Sequence, residues 1–404
     1  MAFYTDIGFN FARTGGAQLP GNGWMDGLAT YQARFQSTLS NYKTARKFGA
    51  SFNLLIHDLW GADTTETSAD PFPGDNGDWV NFDNFMTRLI SDLKANNMLP
   101  GLIIDIWNEP DLSYFWKRSE SQYIQMWARA YYRLQRDLPG VPTTGPSYSA
   151  SHSAGNSWWT NWLAFIAQNR SIPTQYSWHM EGGGGDMESS TAALRSLLAP
   201  NGLATTNTIN INEYAVLGEQ VPSAGAWWIS QLERVNAIGL RGNWLSTGAL
   251  HDYMAGLLGK PNAGTPAYNV TGGGYWPAAE FHVYKYYAKN MTGTRCKTQP
   301  TPDKRGEVYA VVDTNVVRLL VGSRVTTGTF YIQLQNLHSI GLPLSGKLVI
   351  HTYAFKGSTN HFQEFGPPQD LGTYGHDYSG GTLSFPIFQT DSLTAYAFEF
   401  RRAA

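Results

Sequence analysis

Two glutamates stand at the ends of short apolar runs. Residues 103–111 read Ile-Ile-Asp-Ile-Trp-Asn-Glu-Pro-Asp. A continuous apolar run as short as residues 102–107 reads as a strand buried on both faces, as in a parallel sheet. Pro110 has no N–H to donate and stops the ladder, so Glu109 is expected at the carboxyl end of a rigid strand. Residues 208–215 read Thr-Ile-Asn-Ile-Asn-Glu-Tyr-Ala and put Glu213 at the end of a second such strand. The gap, 213 − 109 = 104 residues, is that of three strand–helix units in a barrel with about 30 residues per unit. Two carboxyls three strands apart on one rim face each other across the mouth. That is the arrangement glycosidic cleavage needs: one carboxylic acid to protonate the leaving oxygen, one carboxylate to attack the anomeric carbon. A lone loop glutamate is commonly a solvated surface group; the repeated pattern is what favours chemistry.

The elements that hold these glutamates alternate. Strands are expected at residues 7–12, 33–36, 51–56, 102–107, 141–145, 175–179, 208–212 and 240–246, which places Glu109 on the fourth and Glu213 on the seventh. Asn10 and Arg13 end the first strand, and the third ends in His57-Asp58-Leu59-Trp60. Between the strands, apolar residues fall at helical spacing. Phe82, Phe85, Met86, Leu89, Ile90 and Leu93 mark one helix, and Ile124, Trp127, Tyr131 and Leu134 mark another that Ser119 is placed to cap. The fold class is therefore α/β, a (β/α)8 TIM barrel. After about Gly293 helical spacing stops, and six strand-like segments follow, separated by Gly, Asn, Ser and Pro turns. They are expected to form a C-terminal antiparallel β-sandwich. The division is residues 1–292 for the catalytic barrel and 293–404 for an accessory domain.

Composition narrows the partners. The chain has 404 residues, 42% of them apolar, enough for one large barrel and a second small domain. A formal net charge of −2 with no basic cluster argues against nucleic acid. The 14 Trp and 22 Tyr include candidates for platforms beneath sugar rings, although most are expected in the core. Cys296 is the lone cysteine, so no intrachain disulfide forms. No run of eighteen apolar residues offers a membrane span. The N-terminus enters a strand pattern almost directly, without the pattern of a signal peptide. Asn-x-Ser/Thr triplets at Asn169, Asn269 and Asn290 lend slight weight to secretion.

Trp107-Asn108-Glu109-Pro110-Asp111 followed by Asn212-Glu213-Tyr214 resembles the clan A glycoside hydrolases. Within that clan the chain is most similar to family 39, the family of β-xylosidases and α-L-iduronidases. A histidine on the sixth expected strand, in Tyr176-Ser177-Trp178-His179, and the β-rich tail fit the family. The resemblance implies a retaining enzyme with Glu109 as acid/base and Glu213 as nucleophile. It also implies that Asn108 hydrogen-bonds a sugar 2-hydroxyl and that His179 lines the sugar pocket. Tyr214 and Trp244 are candidate packing and platform rings, and His57 and Trp60 are weaker substrate-binding candidates. The acid/base has to be protonated at working pH, so Glu109 is expected to carry a raised pKa.

Other chemistries lack their motifs. The run Gly182-Gly183-Gly184-Gly185 has no Gly-Lys-Ser/Thr and is not a phosphate loop. Glu181, Asp186 and Glu188 flank it without EF-hand spacing. With no His-Glu-x-x-His and no cysteine pair, no metal and no cofactor is expected. The partner is a carbohydrate, of the β-xyloside, α-L-arabinofuranoside, β-galactoside or uronide type. Such a substrate favours a secreted protein, with a cytosolic one as the alternative. A transglycosylase, or a carbohydrate-binding protein without turnover, is the alternative; oligomeric state is not legible.

Overall fold

The computed structural model describes residues 2–63, 66–182, 185–242, 256–269 and 272–402. The chain divides into two compact units, residues 10–214 with 235–242, and residues 1–9 with 215–234 and 243–404.

The first unit is the barrel. Its parallel strands are β1 (Phe11–Thr14), β2 (Ser51–Leu55), β3 (Leu102–Asp105), β4 (Thr143–Tyr148), β5 (Gln175–Met180), β6 (Thr208–Tyr214) and β7 (Ile238–Arg241). They pair in sequence order, and β7 comes back beside β1. The expected strand at residues 33–36 is a correction: those residues lie inside the helix Leu28–Lys47. That helix buries Tyr31, Arg34, Phe35, Thr38, Leu39, Tyr42 and Ala45, a three-and-four spacing that only a helix puts on one face. Glu109 therefore follows the third described strand and Glu213 lies within the end of the sixth, rather than on the fourth and seventh, still three strands apart. The first strand also begins later than expected, at Phe11 instead of residue 7, and residues 2–6 are a helical turn. The helices Val80–Ala95 and Glu120–Asp137 lie where the spacing puts them, the second capped by Ser119, whose side chain accepts from the Gln122 amide.

Rings lock β4 and β5 in place. Tyr148, Trp159, Trp162, Trp127, Trp178 and Tyr176 are all buried. Trp127 meets Trp162 edge-on at 5.1 Å, and Tyr148 meets Trp159 edge-on at 5.1 Å, the geometry that ring quadrupoles favour. Gly145 is what lets Trp127 approach the strand: a Cβ there would lie 2.2 Å from the indole.

The second unit is built on a six-stranded sheet in the order β10-β11-β12-β17-β14-β15. These strands are β10 (Thr294–Arg295), β11 (Gly306–Val312), β12 (Val316–Ser323), β14 (Gly346–Phe355), β15 (Gln369–Tyr378) and β17 (Ala395–Arg401). Beside it, β13 (Gly328–Leu334) pairs with β16 (Leu383–Gln389), and β8 (Leu258–Gly259) pairs with β9 (Trp276–Pro277). The period of two sorts the side chains. Val317, Leu319, Val321, Phe398 and Phe400 cluster with Ile332, Phe385 and Ile387 of the β13–β16 ribbon. Leu320, Val311, Ala395 and Ala397 cluster instead with Ile229 of the helix Pro222–Val235 and Val283 and Tyr286 of the helix Phe281–Asn290. The six-stranded sheet is covered on both faces.

One buried charge ties helix to sheet in this unit. Glu307 of β11 is fully buried as a side chain; it accepts from Arg234 and, at 2.6 Å, from Gln231 Nε2. Arg234→Ala leaves that carboxylate without its cation, and the unfolding free energy is expected to fall by about 3–5 kcal/mol in a denaturant titration. The double variant Arg234→Met with Glu307→Leu is expected to recover most of the loss. A single-variant loss below about 1 kcal/mol would show that the pair behaves like a surface one.

Candidate active site

The site is assembled on Asp105, the last residue of β3, which is 0% exposed. A bare carboxylate there would be prohibitive; every lone pair direction needs a donor. Oδ2 accepts from Arg13 Nε of β1 at 2.9 Å and from Asn212 Nδ2 of β6 at 2.7 Å. Oδ1 accepts from Ser147 Oγ of β4 at 2.8 Å. Ser147 has one proton and gives it to Asp105, so it is an acceptor toward Asn212 Nδ2 and toward Ser177 Oγ of β5, each at 2.8 Å. Five strands thus converge on one carboxylate.

Arg13 carries this order to the rim. Its Nη2 donates to Asn108 Oδ1 at 2.7 Å and its Nη1 to Glu213 Oε1 at 2.5 Å. Burial works against the charge on Arg13, but Asp105, Glu213 and Asp58 outweigh it and hold the guanidinium protonated. Glu213 and His179 are partners in the β5–β6 register, and Glu213 precedes Ala215, which has φ of 69°. Glu109 itself has φ of 38°, and its amide donates to the carbonyl of Ser147, whose φ is 56°. Left-handed backbone at residues with a Cβ costs on the order of 1–3 kcal/mol and gathers at functional sites. Asp111 anchors the same turn, accepting from the amide and hydroxyl of Ser149 at 2.9 Å each.

His179 joins the two glutamates. Its Nδ1 lies 2.7 Å from Glu109 Oε1, and its Nε2 lies 3.8 Å from Glu213 Oε1. Burial lowers the affinity of this imidazole for its proton, but Glu213 and Glu109 outweigh burial and raise its pKa. Burial raises the Glu109 carboxyl, but His179, Arg13 and His57 outweigh it and leave the pKa below the ordinary value. The expectation of a raised Glu109 pKa is thus corrected for the unliganded site: the hydrogen bond and charge of His179, with the charges of Arg13 and His57, together outweigh desolvation. Glu181, directly after β5, carries the raised carboxyl instead, pushed up to about 8 by burial and by Glu213 and Glu109.

The remaining candidates separate. Asn108 is buried in the network. His57 borders it: Nδ1 sits 2.8 Å from Asp58 Oδ1, and the ring packs edge-on against Trp107 at 5.2 Å. Trp60 is not brought in; it is 0% exposed and packs against Phe82 and Phe85, so no ring face is open to a ligand. Tyr214 is buried beside Met180 in the strand register. Trp244 lies outside the described residues. Of the acids around the glycine run, Asp186 caps the helix Met187–Leu198, Glu188 sits in its first turn, and only Glu181 reaches the site. Glu109, His179 and Glu181 offer ligand atoms within 4.8 Å of one another, yet Nδ1 of His179 is already engaged by Glu109. Arg13, Asp105 and Glu181 were missed as site residues from the sequence. The available signal was an acid inside the apolar run Ile-Ile-Asp-Ile, which cannot be buried without a cation.

No family model matches the chain, and no curated protein does. Solved structures do. The protein N2152 from Neocallimastix frontalis is 21% identical over 99% of this chain and 92% of its own, with a TM-score of 0.74. A monomeric β-xylosidase from Caulobacter crescentus is 12% identical over 100% of this chain and 92% of its own, with a TM-score of 0.58. A family 51 α-L-arabinofuranosidase from Bifidobacterium longum is 12% identical over 99% and 88%, with a TM-score of 0.59. At these identities the likeness is one of fold.

The Glu109–His179 pair has a pH signature. The stability from a raised histidine is present in full below about pH 6.5 and is lost as pH rises through the folded value. The stability from a lowered carboxyl is present in full above about pH 4.5 and is lost as pH falls through the folded value. The unfolding free energy of His179→Gln is therefore expected to lie about 3 kcal/mol below the wild type between those two values. The gap narrows on both sides; a gap that is flat from pH 4 to pH 9 would mean that the pair is not charged.

Proposed function

We propose that the chain is a retaining glycoside hydrolase of clan A, closest in kind to family 39. It acts on oligosaccharides of β-xyloside, α-L-arabinofuranoside or β-galactoside type. The observation that carries this is that Glu109 and Glu213, from strands three apart, meet at the two nitrogens of one buried imidazole. The solved structures of like fold include a β-xylosidase and an α-L-arabinofuranosidase, which supports the same class. Residues 1–292 supply the chemistry in this proposal, residues 293–404 are accessory, and a polysaccharide-derived substrate favours secretion. No helix among the described residues is long and apolar enough to cross a membrane.

In the first step Glu213 attacks the anomeric carbon, the bond to the leaving oxygen breaks, and Glu109 gives that oxygen a proton. In the second, Glu109 takes a proton from water as the water displaces Glu213. Arg13 orients Glu213 for attack and stabilises the negative charge that returns to it when the glycosyl-enzyme breaks down. His179 shares a proton with Glu109 along the 2.7 Å contact. A sugar that excludes water from the pair strips solvation from the ionised Glu109 and favours the state with the proton on the carboxyl. Asn108, fixed by Arg13, presents its amide N–H₂ toward the sugar.

Two variants separate the roles on an aryl glycoside with a good leaving group. Glu109→Ala is expected to form glycosyl-enzyme and stall, and azide is expected to rescue it to a glycosyl azide with the configuration of the substrate. Glu213→Ala loses the covalent step, and azide entering the vacated space gives the inverted product. Swapped outcomes would exchange the two roles. A loss smaller than about a hundredfold in both would place the chemistry elsewhere.

A further inference from the structure

We propose that Glu181 is a substrate-binding residue, its carboxyl engaging the hydroxyls of an uncharged sugar seated between Glu109 and Glu213. The proposal rests on the reading of that pair as catalytic. Glu181 comes two residues after His179, and alternation along the strand end turns both toward the same side. A carboxyl oxygen of Glu181 lies within 4.8 Å of ligand atoms of both Glu109 and His179, and the carboxyl also feels the charges of Glu213 and Arg13. Oε1 is buried and has no hydrogen-bond partner among the described residues. A buried polar atom without a partner is destabilising, and here it belongs to a carboxyl beside Glu109 and His179.

A sugar hydroxyl repairs that deficit by donating to Oε1. The carboxyl is raised to about 8 by burial and by Glu213 and Glu109, so near neutral pH it is an acid with an O–H of its own. One oxygen accepts and the other donates, a pattern that matches two neighbouring hydroxyls of a sugar ring. The charge around it selects against a sugar acid. Arg13 already directs Nε, Nη1 and Nη2 to Asp105, Glu213 and Asn108. A uronate carboxylate would enter beside Glu109 and Glu213 with that guanidinium already engaged, which favours xylosides, arabinosides and galactosides over uronides.

The test compares wild type, Glu181→Gln and Glu181→Ala on 4-nitrophenyl β-D-xyloside, α-L-arabinofuranoside, β-D-galactoside and β-D-glucuronide, with calorimetric binding of the four free sugars alongside. Glutamine keeps a donor and an acceptor, so Glu181→Gln is expected within about threefold of wild type, while Glu181→Ala loses about tenfold or more in kcat/KM or sugar affinity through lost hydrogen bonds. Glu181→Ala is expected to unfold no more readily than wild type, which a merely structural residue would not allow. The glucuronide and glucuronate are expected to be the poorest of the set. Glu181→Ala matching wild type, a glucuronide as good as the neutral sugars, or no sugar turned over or bound would each overturn the proposal. Failure of the catalytic pair would show separately, as undiminished turnover in Glu109→Ala and Glu213→Ala with the Glu181 difference in sugar binding retained.

Discussion

The buried pair of Asp105 and Arg13 is the constraint on which the site depends. A carboxylate with no exposure is tolerable only if cation and neutral donors saturate it, and those donors come from β1, β4 and β6, with β5 joined through Ser177. Satisfying one charge therefore fixes the register of five strands at the end where Glu109 and Glu213 emerge. The same guanidinium then positions Asn108 and Glu213. Loss of Arg13 would leave the Asp105 carboxyl buried without its cation, and loss of Ser147 or Asn212 would leave it one hydrogen bond short.

The proton distribution is the second organising fact. Glu109, Glu181 and Glu213 all face His179, and carboxyls that close cannot all be ionised without penalty. The excess is relieved by protonation at His179 and Glu181, not at Glu109, in the unliganded site. That inverts the simple expectation of an acid poised by desolvation alone.

Much of this was legible in the sequence where a single physical period dominates. The helices Val80–Ala95 and Glu120–Asp137 announced themselves by apolar spacing, and the two glutamates by apolar runs cut short. Residues 33–36 misled because four residues fit either period; only the longer stretch from Tyr31 to Ala45 shows the helical one. The strand β15 was not seen, since its sequence Gln-Asp-Leu-Gly-Thr-Tyr-Gly-His-Asp-Tyr has almost no apolar alternation. It is an edge strand held by backbone pairing with β14 rather than by burial. Arg13 and Asp105 gain no site role from the sequence because their partners are distant along the chain: Arg13 and Glu213 are 200 residues apart, and Arg13 and Asp105 are 92 apart. Local spacing cannot report a contact that exists only once the barrel has closed.

The order of the six-stranded sheet sets a timetable for the second unit. Its inner strand β17 pairs with β12 on one side and β14 on the other, yet it follows both in the chain. While the polypeptide is still being made, β12 and β14 emerge with open edges facing a gap that no earlier segment fills. Open edges are templates for pairing with other chains, and pairings between distant segments form slowly. The unit is thus exposed to mispairing throughout its synthesis and becomes safe only when residues 395–401 slide between two waiting strands. A chain cut short before Ala395 would carry the seven described barrel strands and lack the strand that joins β12 to β14. In a crowded cell, such a product is matter for a chaperone or a protease.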